Sequence, residues 1–205
     1  MTTGQVTTKP SPAWSPGRSS ILRLVRVALN EGSGLFARYV RHRGDYVEYL
    51  RSLGVKIGSG CEIMTSVDNF GSEPWLVEIG NRVTVSADVL LLTHDGSSRL
   101  YREKYSDTPW GNRFAPIRIH DNSFVGARTI VMPGVDVGPD SIVGAGSVVT
   151  KTVPPGTVWV GSPARQLMTL PEAEARYVEQ MVPITATDRD GLRRELTRRF
   201  FGEER

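Results

Sequence analysis

Between Ile119 and Trp159 an aliphatic side chain returns at every sixth position: Ile119, Val125, Val131, Val137, Val143 and Val149. Two places before most of them stands a small or β-branched residue, at Ser123, Thr129, Val135, Ser141 and Ser147. Gly126, Gly134, Gly138, Gly144 and Gly146 fill the steps between. An α-helix repeats at about 3.6 residues and a half-buried strand at about two, so neither accounts for a period of six. That period belongs to a parallel β-helix, in which short strands joined by tight turns stack as coils. The chain is therefore expected to be mainly β, and its chemistry is expected where the repeat is interrupted.

The period is also present upstream, at Ile57 and Ile63 and again at Ile79, Val85 and Leu91. Two stretches break it: residues 64–76 (MTSVDNFGSEPWL) and residues 93–116 (THDGSSRLYREKYSDTPWGNRFAP). The coil domain is assigned to residues 54–168, with these two stretches as loops. Residues 1–17, rich in Thr, Ser, Pro and Gly, read as a disordered tail. Residues 18–53 read as an N-terminal helical cap, with Leu22, Val25 and Leu29 on one face of a first helix and Leu35, Phe36, Tyr39, Val40, Tyr46, Val47 and Leu50 in a second. Gly54 ends it. Residues 169–205 read as a C-terminal helical extension, entered at Pro171, acidic early at Glu172 and Glu174, basic late at Arg193, Arg194, Arg198 and Arg199, and split at Pro183.

Composition suits narrow coils: Gly is abundant at 21 residues and aromatic residues make up only 8%. A net charge of +3 is too small to imply nucleic acid as a partner. Arginines cluster before the coils (Arg18, Arg23, Arg26, Arg38, Arg41, Arg43, Arg51) and after them (Arg189, Arg193, Arg194, Arg198, Arg199), as solvated helix faces do. A single cysteine, Cys61, excludes an intrachain disulfide framework and fits a reducing compartment. No secretory cleavage pattern stands at the N-terminus, and no apolar stretch reaches the roughly 18–20 residues of a membrane span. A cytoplasmic location is expected.

The stretch IRIHDNSFVGARTIVMPGVDVG (117–138) followed by PDSIVGAGSVVTKTVPPGTVWVGSPARQL (139–167) resembles the hexapeptide acyltransferases, and GAGSVVTKTVPPGTVWVGSPAR is its most specific part. LLTHDG (91–96) looks like the catalytic-histidine segment of the sugar and xenobiotic acetyltransferase branch. FGSEPWLVEIGNRVTVS (70–86) looks closer to the polysaccharide O-acetyltransferases within it. The resemblance covers residues 54–168 and implies a left-handed coil, acetyl-CoA as co-substrate, no metal, and a homotrimer with active sites between subunits. Carried over residue by residue, it implies backbone contacts to pantetheine at Ala127 and Ala145, a nucleotide end near Thr150 and Lys151, and phosphate pairing by Lys151 and Arg165. The chain departs from the family pattern at His120, where Gly is common, and at Phe124, where Trp is common.

Acetyl transfer from a thioester needs a base to take the acceptor's proton and donors for the thioester oxygen. Imidazole suits the first role because it titrates near neutrality. Of the three histidines, His42 lies in a basic helical surface and His120 in a turn. His94 directly follows an inward-pointing strand position and opens the longest interruption, and it is the candidate base. Glu73, in the earlier loop near one coil before, is the first candidate to orient it, ahead of Asp95 and Asp68. Asn69, Asp95 and Trp110 are candidate acceptor contacts, although Asp95 reads equally well as ordering the HDG turn.

The leading expectation is an acetyl-CoA-dependent O-acetyltransferase acting on a sugar, polysaccharide or glycoconjugate. An N-acetyltransferase of an amino sugar or antibiotic on the same fold is an alternative. A non-catalytic assembly module whose basic helices associate weakly with a membrane surface is another. A zinc enzyme on this coil would need three histidine ligands, and the coil region offers only His94 and His120.

Overall fold

A computed structural model of the chain describes residues 45–105, 107 and 111–202. The proposed tail, the first cap helix, His42 and Trp110 lie outside the described residues. Within them the backbone winds as stacked three-stranded coils, forming a prism with three parallel faces. The first face carries Lys56–Ile57, Val77–Ile79, Ile117–Ile119 and Asp136–Val137. The second carries Glu62–Ile63, Thr84–Val85, Phe124–Val125, Ile142–Val143 and Thr157–Gly161. The third carries Leu90–Leu91, Ile130–Val131 and Val148–Val149. The chain visits the faces in that order and then returns to the first. Each aliphatic of the six-residue period lies directly over its counterpart in the next coil: Ile79 over Ile119, Val125 over Val143, Val131 over Val149.

The repeat has a physical cause at each of its positions. The aliphatics point inward; Val85, Leu91, Val125, Val131, Val137, Val143 and Val149 are all fully buried. The small residues two places earlier turn in at the corners, where only a compact side chain fits. Their hydroxyls are satisfied by nearby carbonyls: Thr129 donates to Gly144 O at 3.2 Å, Ser141 to Pro154 O at 2.8 Å and Ser147 to Gly144 O at 2.6 Å. The corners demand positive φ, supplied not by glycine alone but by Arg82, Asp88, Asn122, Arg128 and Asp140, at φ between 51° and 58°. Each such residue costs about 1–2 kcal/mol against the right-handed conformation. Polar ladders along one edge offset part of that cost. Asp121 accepts the Asn81 amide at 2.8 Å, Arg82 donates to Asn122 at 2.7 Å, and Asn122 donates to Asp140 at 2.9 Å. At Gly126 the coils approach so closely that a Cβ would lie 2.5 Å from the Ala145 nitrogen.

The outer surfaces of the faces differ. On the first, Lys56, Glu78, Arg118 and Asp136 stand in register with alternating sign; Lys56 and Glu78 are 2.6 Å apart. On the third, the outward residues are Leu90, Ile130 and Val148, apolar and half-buried.

Helix α1 (Asp45–Ser52) sets Tyr46, Tyr49 and Leu50 against the first coil, and the Tyr46 hydroxyl donates to Thr65 O at 2.7 Å. The 64–76 interruption is structured rather than irregular. In the first coil the 3-10 turn Val67–Phe70 occupies the place of a third-face strand, with Phe70 fully buried. The 93–116 interruption begins and ends as an antiparallel pair, His94–Asp95 with Arg113–Phe114, and carries helix α2 (Ser98–Lys104). The coils continue past Val149, the last aliphatic of the period. Thr157–Gly161 stacks on Ile142–Val143 and is then paired by the antiparallel strand Ala164–Thr169, which covers the open end of the second face. The chain continues as α3 (Leu170–Gln180), whose Glu172 accepts from the Thr169 backbone and hydroxyl, and α4 (Arg189–Phe201). No described helix is long and apolar enough to cross a membrane.

Leu91→Ala, which empties a fully buried position on the third face, is expected to destabilise by about 2–5 kcal/mol. Leu100→Ala, on the exposed side of α2, should stay within about 0.5 kcal/mol. Paired thermal and denaturant unfolding curves check both.

Candidate active site

Both interruptions leave the prism at the same edge, where the third face gives way to the first. Gly71 carries the earlier loop across the later one: its φ is +68°, and a Cβ there would lie 2.6 Å from Thr93 Oγ1 and 3.2 Å from Leu91 O. No other residue type passes so close without displacing the strand below. Two residues on, Glu73 and the turn Pro74–Leu76 lead back to the first face. The result is contact between residues 21 apart in sequence: His94 Nδ1 lies 2.8 Å from Glu73 Oε2. The Glu73 side chain is 15% exposed and that of His94 is 33% exposed.

Glu73 Oε2 also accepts a hydrogen bond from Thr93 Oγ1 at 2.7 Å. Burial raises the Glu73 carboxyl, but the hydrogen bonds from Thr93 and His94 and the charge of His94 outweigh it and hold the group below its ordinary value of 4.5. Glu73 is thus a carboxylate at neutral pH, and an acceptor only. It fixes the tautomer with the proton on Nδ1 and leaves Nε2 as the basic nitrogen. His94 Nε2 has no partner among the described residues. Phe114, opposite His94 in the antiparallel pair, sets its ring centroid 5.5 Å from the imidazole at an interplanar angle of 46° and is itself exposed.

The other residues read from sequence divide into separate groups. Asp95 opens the hairpin beside His94 and is engaged by the turn that follows it. The Ser97 amide donates to it at 2.8 Å and holds its carboxyl below the ordinary aspartate value. Asn69 sits in the turn that replaces the third-face strand and donates to Thr65 Oγ1 at 2.8 Å; it does not touch Glu73 or His94. Asp68 is exposed on the same turn, 3.4 Å from Ser66 Oγ. Ala127 and Ala145 stack along a different edge, between the second and third faces, where Gly146 N donates to Ala127 O at 2.8 Å. Arg165 lies near that edge, paired with Val160 and exposed. Thr150 and Lys151 are exposed on the third-to-first edge, two coils beyond His94. His120 is exposed at the edge between the first and second faces, so it and His94 do not share a centre.

Two residues at this site were missed from sequence. Thr93 was passed over as the first residue of a loop, although its place two after Leu91 makes it inward-pointing. Phe114 was passed over among more conspicuous aromatics.

The profile for the bacterial transferase hexapeptide family, six repeats long, matches residues 116–151. Protein CapG of Staphylococcus aureus is 42% identical over 132 residues, which span 63% of this chain and 74% of that protein. The galactoside O-acetyltransferase of Escherichia coli (strain K12) is 32% identical over 118 residues, 56% of this chain and 52% of that protein. Among solved structures, a galactoside acetyltransferase in complex with coenzyme A aligns with a TM-score of 0.49 and 20% identity, over 76% of this chain and 82% of that one.

The lowered Glu73 carboxyl has a consequence for stability. A carboxyl whose value falls on folding contributes fully above its unfolded value, here near 4.5, and the contribution is lost as pH drops through the folded value. The difference in melting temperature between the wild type and Glu73→Gln should therefore shrink as pH is lowered from about 5.5 toward 3. A pH series of thermal melts on the two proteins measures this.

Proposed function

The chain belongs to the hexapeptide-repeat acyltransferase family, and from that premise we propose that it is an acetyl-CoA-dependent O-acetyltransferase of a sugar, polysaccharide or glycoconjugate. The reading is carried by one observation, the 2.8 Å contact between His94 Nδ1 and Glu73 Oε2, which leaves Nε2 without a partner among the described residues at the mouth of the longest loop. In the reaction, the acceptor hydroxyl attacks the thioester carbonyl carbon while His94 Nε2 takes its proton. The C–O bond forms, the tetrahedral intermediate collapses with cleavage of the C–S bond, and the imidazolium returns the proton to the departing thiolate. Throughout, Glu73 holds the Nδ1 proton and stabilises the imidazolium. Exposed Phe114 beside the imidazole suits the apolar face of a sugar ring, and this favours a carbohydrate acceptor.

The placement of the coenzyme residues supports a homotrimer with sites between subunits. His94, Glu73, Thr150 and Lys151 belong to one edge of the prism, and Ala127, Ala145 and Arg165 to another, with the third face between them. A single chain cannot bring its own two edges together. A second copy can, by laying its Ala127–Ala145 edge along the His94 edge of the first. The half-buried apolar row Leu90, Ile130 and Val148 between the edges suits contact with that copy. Small residues on the one edge let the amide-rich pantetheine approach the backbone, and Lys151 and Arg165 supply cations for phosphate.

His94→Ala should lower kcat by about 10²–10⁴-fold with coenzyme A binding, measured by calorimetry, unchanged; near wild-type turnover rejects His94 as the base. Ala145→Trp should fail instead in coenzyme binding. Co-assembly of these two inactive variants should restore part of the activity, because some mixed sites then draw an intact edge from each chain. An inactive mixture that has demonstrably exchanged subunits argues against a shared site.

A further inference from the structure

Thr93 has no role in the reading above, yet its surroundings differ from those of six other buried hydroxyls. Thr65, Ser123, Thr129, Ser141, Ser147 and Thr157 all donate to backbone carbonyls, as expected of side chains turned into a coil corner. Thr93, fully buried, donates instead to a carboxylate, Glu73 Oε2, at 2.7 Å. That oxygen is the one His94 Nδ1 meets at 2.8 Å. Thr93 and His94 are neighbours in sequence, the first fully buried and the second partly exposed. Glu73 is clasped between them.

The geometry matters because glutamate is a long, rotatable side chain. A single hydrogen bond from the imidazole would leave the carboxylate free to pivot and to swap oxygens. A second donor on the same oxygen, delivered from the core, removes that freedom. Gly71 brings the loop down onto Thr93 closely enough to make the bond possible, since any side chain at that position would strike Thr93 Oγ1. Resting on the assignment of His94 as base, we propose that Thr93 is a positioning residue of the active site, whose hydroxyl fixes the Glu73 carboxylate against His94 Nδ1. It keeps its own proton throughout and does not touch the substrate.

A positioning role and a packing role make opposite demands. Thr93→Val keeps the shape and removes the hydroxyl; Thr93→Ser keeps the hydroxyl and removes a buried methyl. If Thr93 positions the carboxylate, Thr93→Val lowers kcat by roughly 10- to 100-fold, as loss of a hydrogen bond to a charged group would. The KM for acetyl-CoA should stay within about twofold, and Thr93→Ser should stay within about threefold of the wild type. A pH series of thermal melts supplies a second readout. Without the Thr93 bond the Glu73 carboxyl rises toward its ordinary value, so the acid-side loss of thermal stability begins at higher pH in Thr93→Val than in the wild type. Thr93→Val at half the wild-type kcat or more, Thr93→Ser as damaged as Thr93→Val, or the same acid-side stability profile in Thr93→Val and the wild type would each overturn the proposal. If Thr93→Val does not fold, Thr93→Ala against Thr93→Ser decides on the same terms. His94→Ala assayed in parallel separates the two readings. If it is fully active, the base assignment fails; if it is inactive while Thr93→Val is fully active, only the role of Thr93 fails.

Discussion

In a parallel coil the backbone amides and carbonyls of each turn bond to the turns above and below. Gly80 N to Ile119 O and Gly126 N to Val143 O, each at 2.8 Å, are typical rungs. This register is the constraint on which the rest depends. Residues added within a face would shift every inward side chain after them to the outside. Additional chain can therefore leave only at a corner, and must return to the same rung. Residues 71–76, after the turn that takes the third-face place, and residues 93–116 both do so, and both leave at the third-to-first edge. The contact between Glu73 and His94 follows from that shared exit: two departures in adjacent coils, at one edge, have to pass beside each other.

The charge arrangement follows the same logic. Glu73 lies low enough in the edge for Thr93 to reach it from the core, while His94 is raised far enough to present Nε2 outward. A carboxylate in that setting would be costly without partners, because burial disfavours its ionised form. Two donors on one oxygen outweigh that cost and hold it ionised. An imidazole between a fixed carboxylate and an open surface is set up to gain and lose a proton on the solvent side alone.

Much of this was legible in the sequence, and the exceptions have definite causes. The six-residue period located the inward aliphatics because each occupies the same place in a repeating cross-section. The pairing of Glu73 with His94 could be anticipated because the loop carrying Glu73 lies about one coil before His94, so the two loops can meet along one edge. The 3-10 turn Val67–Phe70 could not: it substitutes for a strand, and Phe70 is buried without obeying the period. The closing strand Ala164–Thr169 was missed because it runs antiparallel, outside the rule that generates the coils. The distribution of Ala127 and Ala145 on one edge and Thr150 and Lys151 on another is invisible to motif matching, which sees them as neighbours in one signature. Thr93 was hidden by its position, the last inward residue before a loop, where strand logic still applies but the eye has moved on to the histidine.

The common exit of both detours divides the molecule into a conservative side and an adaptable one. The second-to-third edge, with Ala127 and Ala145, is built from uninterrupted turns whose spacing the ladder dictates, so whatever binds along it meets an unchanging ruler. The loop around α2 is under no such rule: it can lengthen, shorten or exchange its side chains while Thr93 and Pro116 keep their rungs. On the reading proposed above, acceptor choice belongs to the loop corner and the pantetheine contacts of Ala127 and Ala145 to the other, so the first can vary while the second stays fixed.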